Sequence, residues 1–298
     1  MATDFGIPTT APTGAIVARG EPNDVISMKI ETAANCAPGR HVKRGTTAVD
    51  LVVGDASTAP IGILGYEQTE AGQDKPATVD TAFGASDYAP VMRGGSYIYN
   101  GYLTKGCSVA PGDLLANWTT GALIGPVEPA GTGLWVKIPF SKNASEVTTS
   151  ITPEAGMMVL DARIQTTTAV ASGTITVGTL SSGTGDADGF LVADATSTAY
   201  HLGPRNDVDA TAASITLGEL LTEVEIKDAT GTPVFYAVPT PYKCDGADAF
   251  SYTTSAHASI GNIMLNLYTP HFRIIAEAAN TKDATSAAGD VLVWNLLG

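Results

Sequence analysis

Charge is what this chain has least of. Only 15% of its 298 residues are Asp, Glu, Lys or Arg, against about 25% in an average soluble protein. The charge present is one-sided: 30 acids stand against 16 bases, for a formal net charge of −14. No basic run is longer than the pair Lys43-Arg44. A nucleic-acid binder needs a basic patch to displace counterions from phosphates, so the composition argues against contact with DNA or RNA. Cysteine is scarce too. Cys36, Cys107 and Cys244 are odd in number, widely spaced and never in a CxxC pair, which does not support a disulfide framework. Residue order fixes no pairing among Cys36, Cys107 and Cys244, and the simplest expectation is three small apolar side chains in the core, in a protein assembled in a reducing cytoplasm. No run of 18 apolar residues exists, so no membrane span is expected. Met1 to Gly14 lacks a basic-then-apolar pattern, so no secretory leader is expected, and exit from the cell would be inside an assembled particle.

The motifs of chemistry are equally sparse. Neither GxxxxGK[ST] nor GxGxxG offers a phosphate loop, and no GxSxG offers a nucleophile elbow. His41, His201, His257 and His271 stand singly, with no HxH, HxxxH or HExxH spacing to hold zinc. Asp186-x-Asp188-Gly189 matches the middle of a calcium loop. Thr184 at the first ligand position and Ala195 at the twelfth break the template, so a turn with Asp side chains accepting backbone N–H bonds is the better reading. Asn117-Trp-Thr119 and Asn143-Ala-Ser145 match glycosylation acceptors, and with no leader expected the matches are expected to be chance. No catalytic, cofactor-binding or metal-ligating residue can be named, and the reading is of a protein that is not an enzyme and needs no cofactor.

What the sequence does have is alternation. Ile26, Met28 and Ile30 alternate with Ser27, Lys29 and Glu31, the period of a half-buried strand. Short apolar bursts of the same kind follow at His41–Lys43, Val49–Val53, Ile61–Tyr66, Ala89–Arg93, Ser96–Tyr102, Leu114–Leu115 and Trp135–Phe140. Turn residues such as Pro38-Gly39, Gly54-Asp55, Gly94-Gly95 and Pro111-Gly112-Asp113 separate them. The polar stretch 141–156 reads as a linker, and the pattern resumes to the last strand at Val291–Leu297. Leu217–Ile226 is the one piece with helical spacing, although Val224 and Ile226 can equally begin a strand. Tyr97, Tyr99 and Tyr102 read as a packing ladder, or as an exposed aromatic platform. The expectation is an all-β chain with little helix. An extended N-terminal arm, 1–24, precedes a small β-barrel of tulip-like form, 25–145, and an antiparallel β-sandwich of jelly-roll-like form, 146–298.

Two stretches carry a family likeness. Residues 36–65 hold Gly39-x-x-Val42-Lys43, leading to Pro60-x-Gly62-Ile63-Leu64, and Val109–Leu115 followed by Gly121 fits V-x-x-G-D-x-L…G. This segment resembles the small β-domain of tailed-phage structural cement and head decoration proteins. Residues 177–191 and 250–256 resemble a β-sandwich domain of phage virion proteins. The resemblance implies a structural virion protein on the outside of a capsid lattice. Its partners would be the major capsid protein and copies of itself, as homotrimer or homodimer, with no nucleic acid and no membrane. An acidic, weakly charged surface suits that place, because it keeps copies apart until shape-specific contacts form. A tail or fibre protein and a glycan-binding adhesin with Tyr97, Tyr99 and Tyr102 exposed are the alternatives.

Overall fold

Alternation along the first strand sets the inside and outside of the first domain. In β1 (Asp24–Ile30), Met28 and Ile30 are buried and Val25 and Ser27 are exposed, so the strand shows one face to a core. A computed structural model describes residues 22–65, 81–168, 174–182, 187, 189–195, 224–227, 233–237, 241–255 and 260–297. Residues 1–21 of the expected arm, His201, His257, Asp186, Asp188 and residues 217–223 lie outside the described residues. The described chain is all-β, and its one helical element is a 3-10 turn at Thr119–Gly121.

The chain divides into two units: residues 1–127 with 270–298, and residues 128–269. In the first, β1, β2 (His41–Arg44), β3 (Asp50–Val53), β4 (Gly62–Leu64) and β5 (Tyr88–Arg93) form a closed barrel in the order β1-β3-β2-β4-β5. Met28, Ile30, Val42, Leu51, Leu64 and Val91 fill it, together with Cys36 and Phe83. The remaining strands of this unit are β6 (Ile98–Leu103), β7 (Ser108–Val109), β8 (Leu114–Asn117) and β9 (Leu123–Pro129), the last crossing the division at residue 127.

The second unit holds β10 (Leu134–Phe140), β11 (Val147–Thr148), β12 (Met158–Thr168), β13 (Thr174–Thr179), β14 (Leu191–Ala195), β15 (Val224–Lys227), β16 (Pro233–Ala237), β17 (Tyr242–Lys243), β18 (Phe250–Thr254) and β19 (Ile260–Tyr268). Strands β17-β12-β19-β10 run antiparallel in one sheet and β11-β18-β13-β14 in another. Aromatic rings join the two: Phe140 meets Tyr252 at 6.2 Å, and Phe190 meets Tyr242 at 5.0 Å and Phe250 at 5.9 Å. Paired β15 and β16 complete the described strands of the unit, so the described end of the helical-looking 217–226 stretch is strand.

The chain then returns to the first unit with β20 (Ile274–Ala278), β21 (Lys282–Asp283) and β22 (Gly289–Asn295). Strand β22 pairs with β6 and β20, and β20 with β8. Strand β9 pairs with β8 and, in parallel, with β6 at Leu123, so these five strands also form a ring. The boundary expected at 145–146 falls inside the second unit, and the last strands belong to the first. The 141–156 stretch is also no free linker. Ile151 is buried, Val147–Thr148 pair with β18, and the Thr149 N–H donates to the Phe250 carbonyl at 2.9 Å. It reads as polar because a short edge strand shows half of itself to solvent.

Candidate interaction surface on the barrel

The barrel is closed, but β1 is only half covered on the β3 side. Strand β3 pairs with β1 at Lys29 and Ile30 alone, whereas β5 pairs with β1 from Asp24 to Lys29. Two hydrogen bonds show where the rest of the β1 backbone points. The Lys29 N–H donates to the Val49 carbonyl at 3.3 Å, toward β3, and strand alternation turns the N–H and C=O of Val25 and Ser27 the same way. The partner of Ser27 on β5 is Pro90, whose own carbonyl accepts from the Gly65 N–H at 2.8 Å on the far side. Ser27–Pro90 is therefore a non-hydrogen-bonded pair. Among the described residues, no strand lies beside the outward main-chain groups of Val25 and Ser27.

A slot occupies the place of that missing strand. It has a volume of about 220 Å³ and is lined by Ile26, Ser27, Met28, Val49, Ile61 and the arginines Arg44 and Arg93, with Ala48. A neighbouring groove of about 380 Å³ shares Ile61 and Arg93 and runs on past Asn23, Asp24 and Pro60 to Leu297. Among the slot's lining residues Val49 is 68% exposed, and Val25, next to Ile26 on β1, is 55% exposed. Arg44 donates from Nη1 to the Ala48 carbonyl at 2.7 Å, and Arg93 stands 3.8 Å from Asp24 in an exposed, loose ion pair. Each guanidinium keeps donors to spare.

A largely buried network ties barrel strand β2 to other parts of the same unit. His41 on β2 is fully buried, and its Nε2 lies 2.9 Å from the Trp118 carbonyl oxygen and 3.1 Å from the Trp118 nitrogen. Burial pushes the imidazole down to about 4, so it is neutral. Asn117 donates to the carbonyls of Asp55 (2.8 Å) and His271 (3.1 Å) and accepts the Arg273 N–H at 2.8 Å. The Arg40 guanidinium stacks 3.6 Å from the centre of the Tyr102 ring and donates to the Thr120 carbonyl at 2.9 Å. Asp55 pairs with Lys43. Burial opposes ionisation of Asp55, but Lys43 and the N–H groups of Ser57 and Thr58 outweigh it and hold its carboxyl below the usual range.

His41 and the backbone of His271 serve this network, and among the described residues no group of three or more His, Cys, Asp or Glu side chains gathers to hold a metal. Asn117, one of the two glycosylation matches, is buried inside the network. Tyr97 and Tyr99 are fully buried with rings 5.8 Å apart, and Tyr102 lies under Arg40, so the aromatic cluster is packing and no exposed platform. The three cysteines are free and buried. The slot itself was missed, because its signal is a missing neighbour, which no residue type encodes.

Residues 3–156 match the family described as Structural cement protein (E217 gp24/Pam3 gp6). That is just over half of the 298 residues, and it takes in the whole barrel and every residue of the slot. No curated protein matches the chain. Barrel, motif turns and matched segment coincide, and the chain belongs to the phage structural cement proteins, virion components whose role is to stabilise the particle.

Proposed function

We propose that this protein sits on the outer face of the capsid lattice and clamps neighbouring capsid subunits together, as a homotrimer or homodimer in contact with the major capsid protein. The observation that carries this reading is the family match over the segment that builds the barrel. The physics supports it. A stiff all-β body with a net charge of −14 does not adhere to an anionic genome. Several modest contacts made at once by a symmetric oligomer multiply into tight attachment. The role needs no catalysis and no cofactor, and assembly takes place in the host cytoplasm, where buried thiols stay reduced.

Electron microscopy of purified particles tests it through copy number and position. A symmetric set of copies on the shell exterior is the expected result. A monomer found in the cell and never in particles would overturn it. Removing residues 2–20 is expected to weaken attachment while leaving the described fold intact.

A further inference from the structure

We infer that the slot beside β1 receives an extended segment of a capsid subunit, which adds as a strand along Val25 and Ser27 and brings a carboxylate to Arg44 and Arg93. The inference rests on the cement reading and names the chemistry of the partner at one surface.

Three observations carry it. The outward N–H and C=O groups of Val25 and Ser27 form one edge of a sheet whose other edge, toward β5, is complete. Strand addition satisfies such groups in register, and alternate side chains then enter pockets. The slot provides the pocket: Ile26, Met28 and Ile61 form an apolar floor, and exposed Val49 forms its rim. Arg44 and Arg93 give the slot a positive character in a chain whose net charge is −14, so the complementary segment is acidic. A guanidinium meets a carboxylate through paired N–H donors, which fixes register as well as sign. The chain's own first 21 residues suit the slot less well. Their longest β-prone run, Ala15–Ala18, contains no acid and is followed by Arg19, which would set a third positive charge near the two arginines.

The test uses full-length protein and purified shells stripped of it. Ser27→Pro removes the outward N–H but leaves the ladder to β5 untouched, because Ser27 donates nothing to Pro90. The double variant Arg44→Glu/Arg93→Ala removes the charge without touching the ladder. Both are expected to bind shells at least about tenfold more weakly than the parent while melting within a few degrees of it. In the parent, hydrogen exchange of the peptide covering residues 22–30 is expected to slow on binding. Parent-like binding by both variants overturns the inference and leaves the cement reading standing. So does exchange at 22–30 that is slow in the free protein and speeds up when residues 2–21 are deleted, since the occupant is then the protein's own arm. Failure of the parent to bind overturns the cement reading, and the inference falls with it. Should Ser27→Pro not fold, the arginine variant and the exchange measurement decide.

Discussion

His41 Nε2 stands 2.9 Å from the carbonyl oxygen of Trp118, a residue 77 positions away, and neither side chain reaches solvent. The contact ties barrel strand β2 to the turn after β8 in the same unit. Around it, the Gly54 N–H donates to the His41 carbonyl and the Gly121 N–H to the Gly54 carbonyl, both at 2.8 Å. Gly121 has φ +70, and a Cβ there would lie 2.7 Å from the His41 carbonyl oxygen, so backbone passes backbone where only glycine fits.

The buried imidazole makes stability depend on pH in a set direction. Its pKa is about 4 in the folded chain against 6.5 in the unfolded one. Between those values the unfolded state binds the extra proton, so stability is full above pH 6.5, falls as pH drops toward 4, and gains no further loss from this group below that. The loss is on the order of 3 kcal/mol. Chemical denaturation of parent and His41→Gln across pH 7.5 to 4 checks it. The parent should lose more stability than the variant over that window, and equal slopes would refute the assignment.

Asn117→Ala is expected to cost roughly 3 kcal/mol. The change removes two side-chain donations and strands the Arg273 N–H, which Asn117 Oδ1 accepts at 2.8 Å. In a unit of this size the melting temperature should fall by roughly 6–12 °C. Asn117→Asp is expected to be destabilising too, because it keeps the acceptor but loses both donors. Calorimetry of the two variants measures this.

Tyr97 and Tyr99 bury hydroxyl groups that meet no hydrogen-bond partner. Burial drives both phenols above their ordinary range, and at Tyr99 the neighbouring Tyr97 adds to the effect. Replacing Tyr99 by Phe deletes an unsatisfied polar atom and keeps the tilted ring contact with Tyr97, so the variant should match the parent or exceed it by about 1 kcal/mol. A clear destabilisation would show that the hydroxyl has a partner.

The thiols should be inert in the native protein. Burial raises Cys36 to about 11 and Cys107 and Cys244 to about 12, so no thiolate is present at pH 8. Mass spectrometry after iodoacetamide treatment should show no alkylation of folded protein and three adducts once it is denatured. Rapid labelling of the native chain would contradict the burial.

Much of the fold was legible in residue order, because strands and turns are local events. Ile26, Met28 and Ile30 reveal a half-buried strand by period alone, and two of these three side chains are buried, with Ile26 packed against the same core. The family motif has a local cause as well. Gly39 and Gly112 take positive φ in turns, and Asp113 accepts the Ala110 N–H at 2.8 Å to close its turn. The shortage of charge and of catalytic spacing pointed to a structural protein for reasons equally independent of shape.

Only the tertiary structure decided which strands are neighbours. That β22 pairs with β6 although residues 128–269 between them form a second unit depends on long-range register, which composition does not encode. The same holds for Asn117 and His41, whose roles come from partners scores of residues away, and for the tyrosines, whose alternation fits an exposed ladder as well as a buried one. The slot beside β1 is the clearest case. Val25 and Ser27 read as ordinary strand residues, and their importance lies in the neighbour that β3 does not provide.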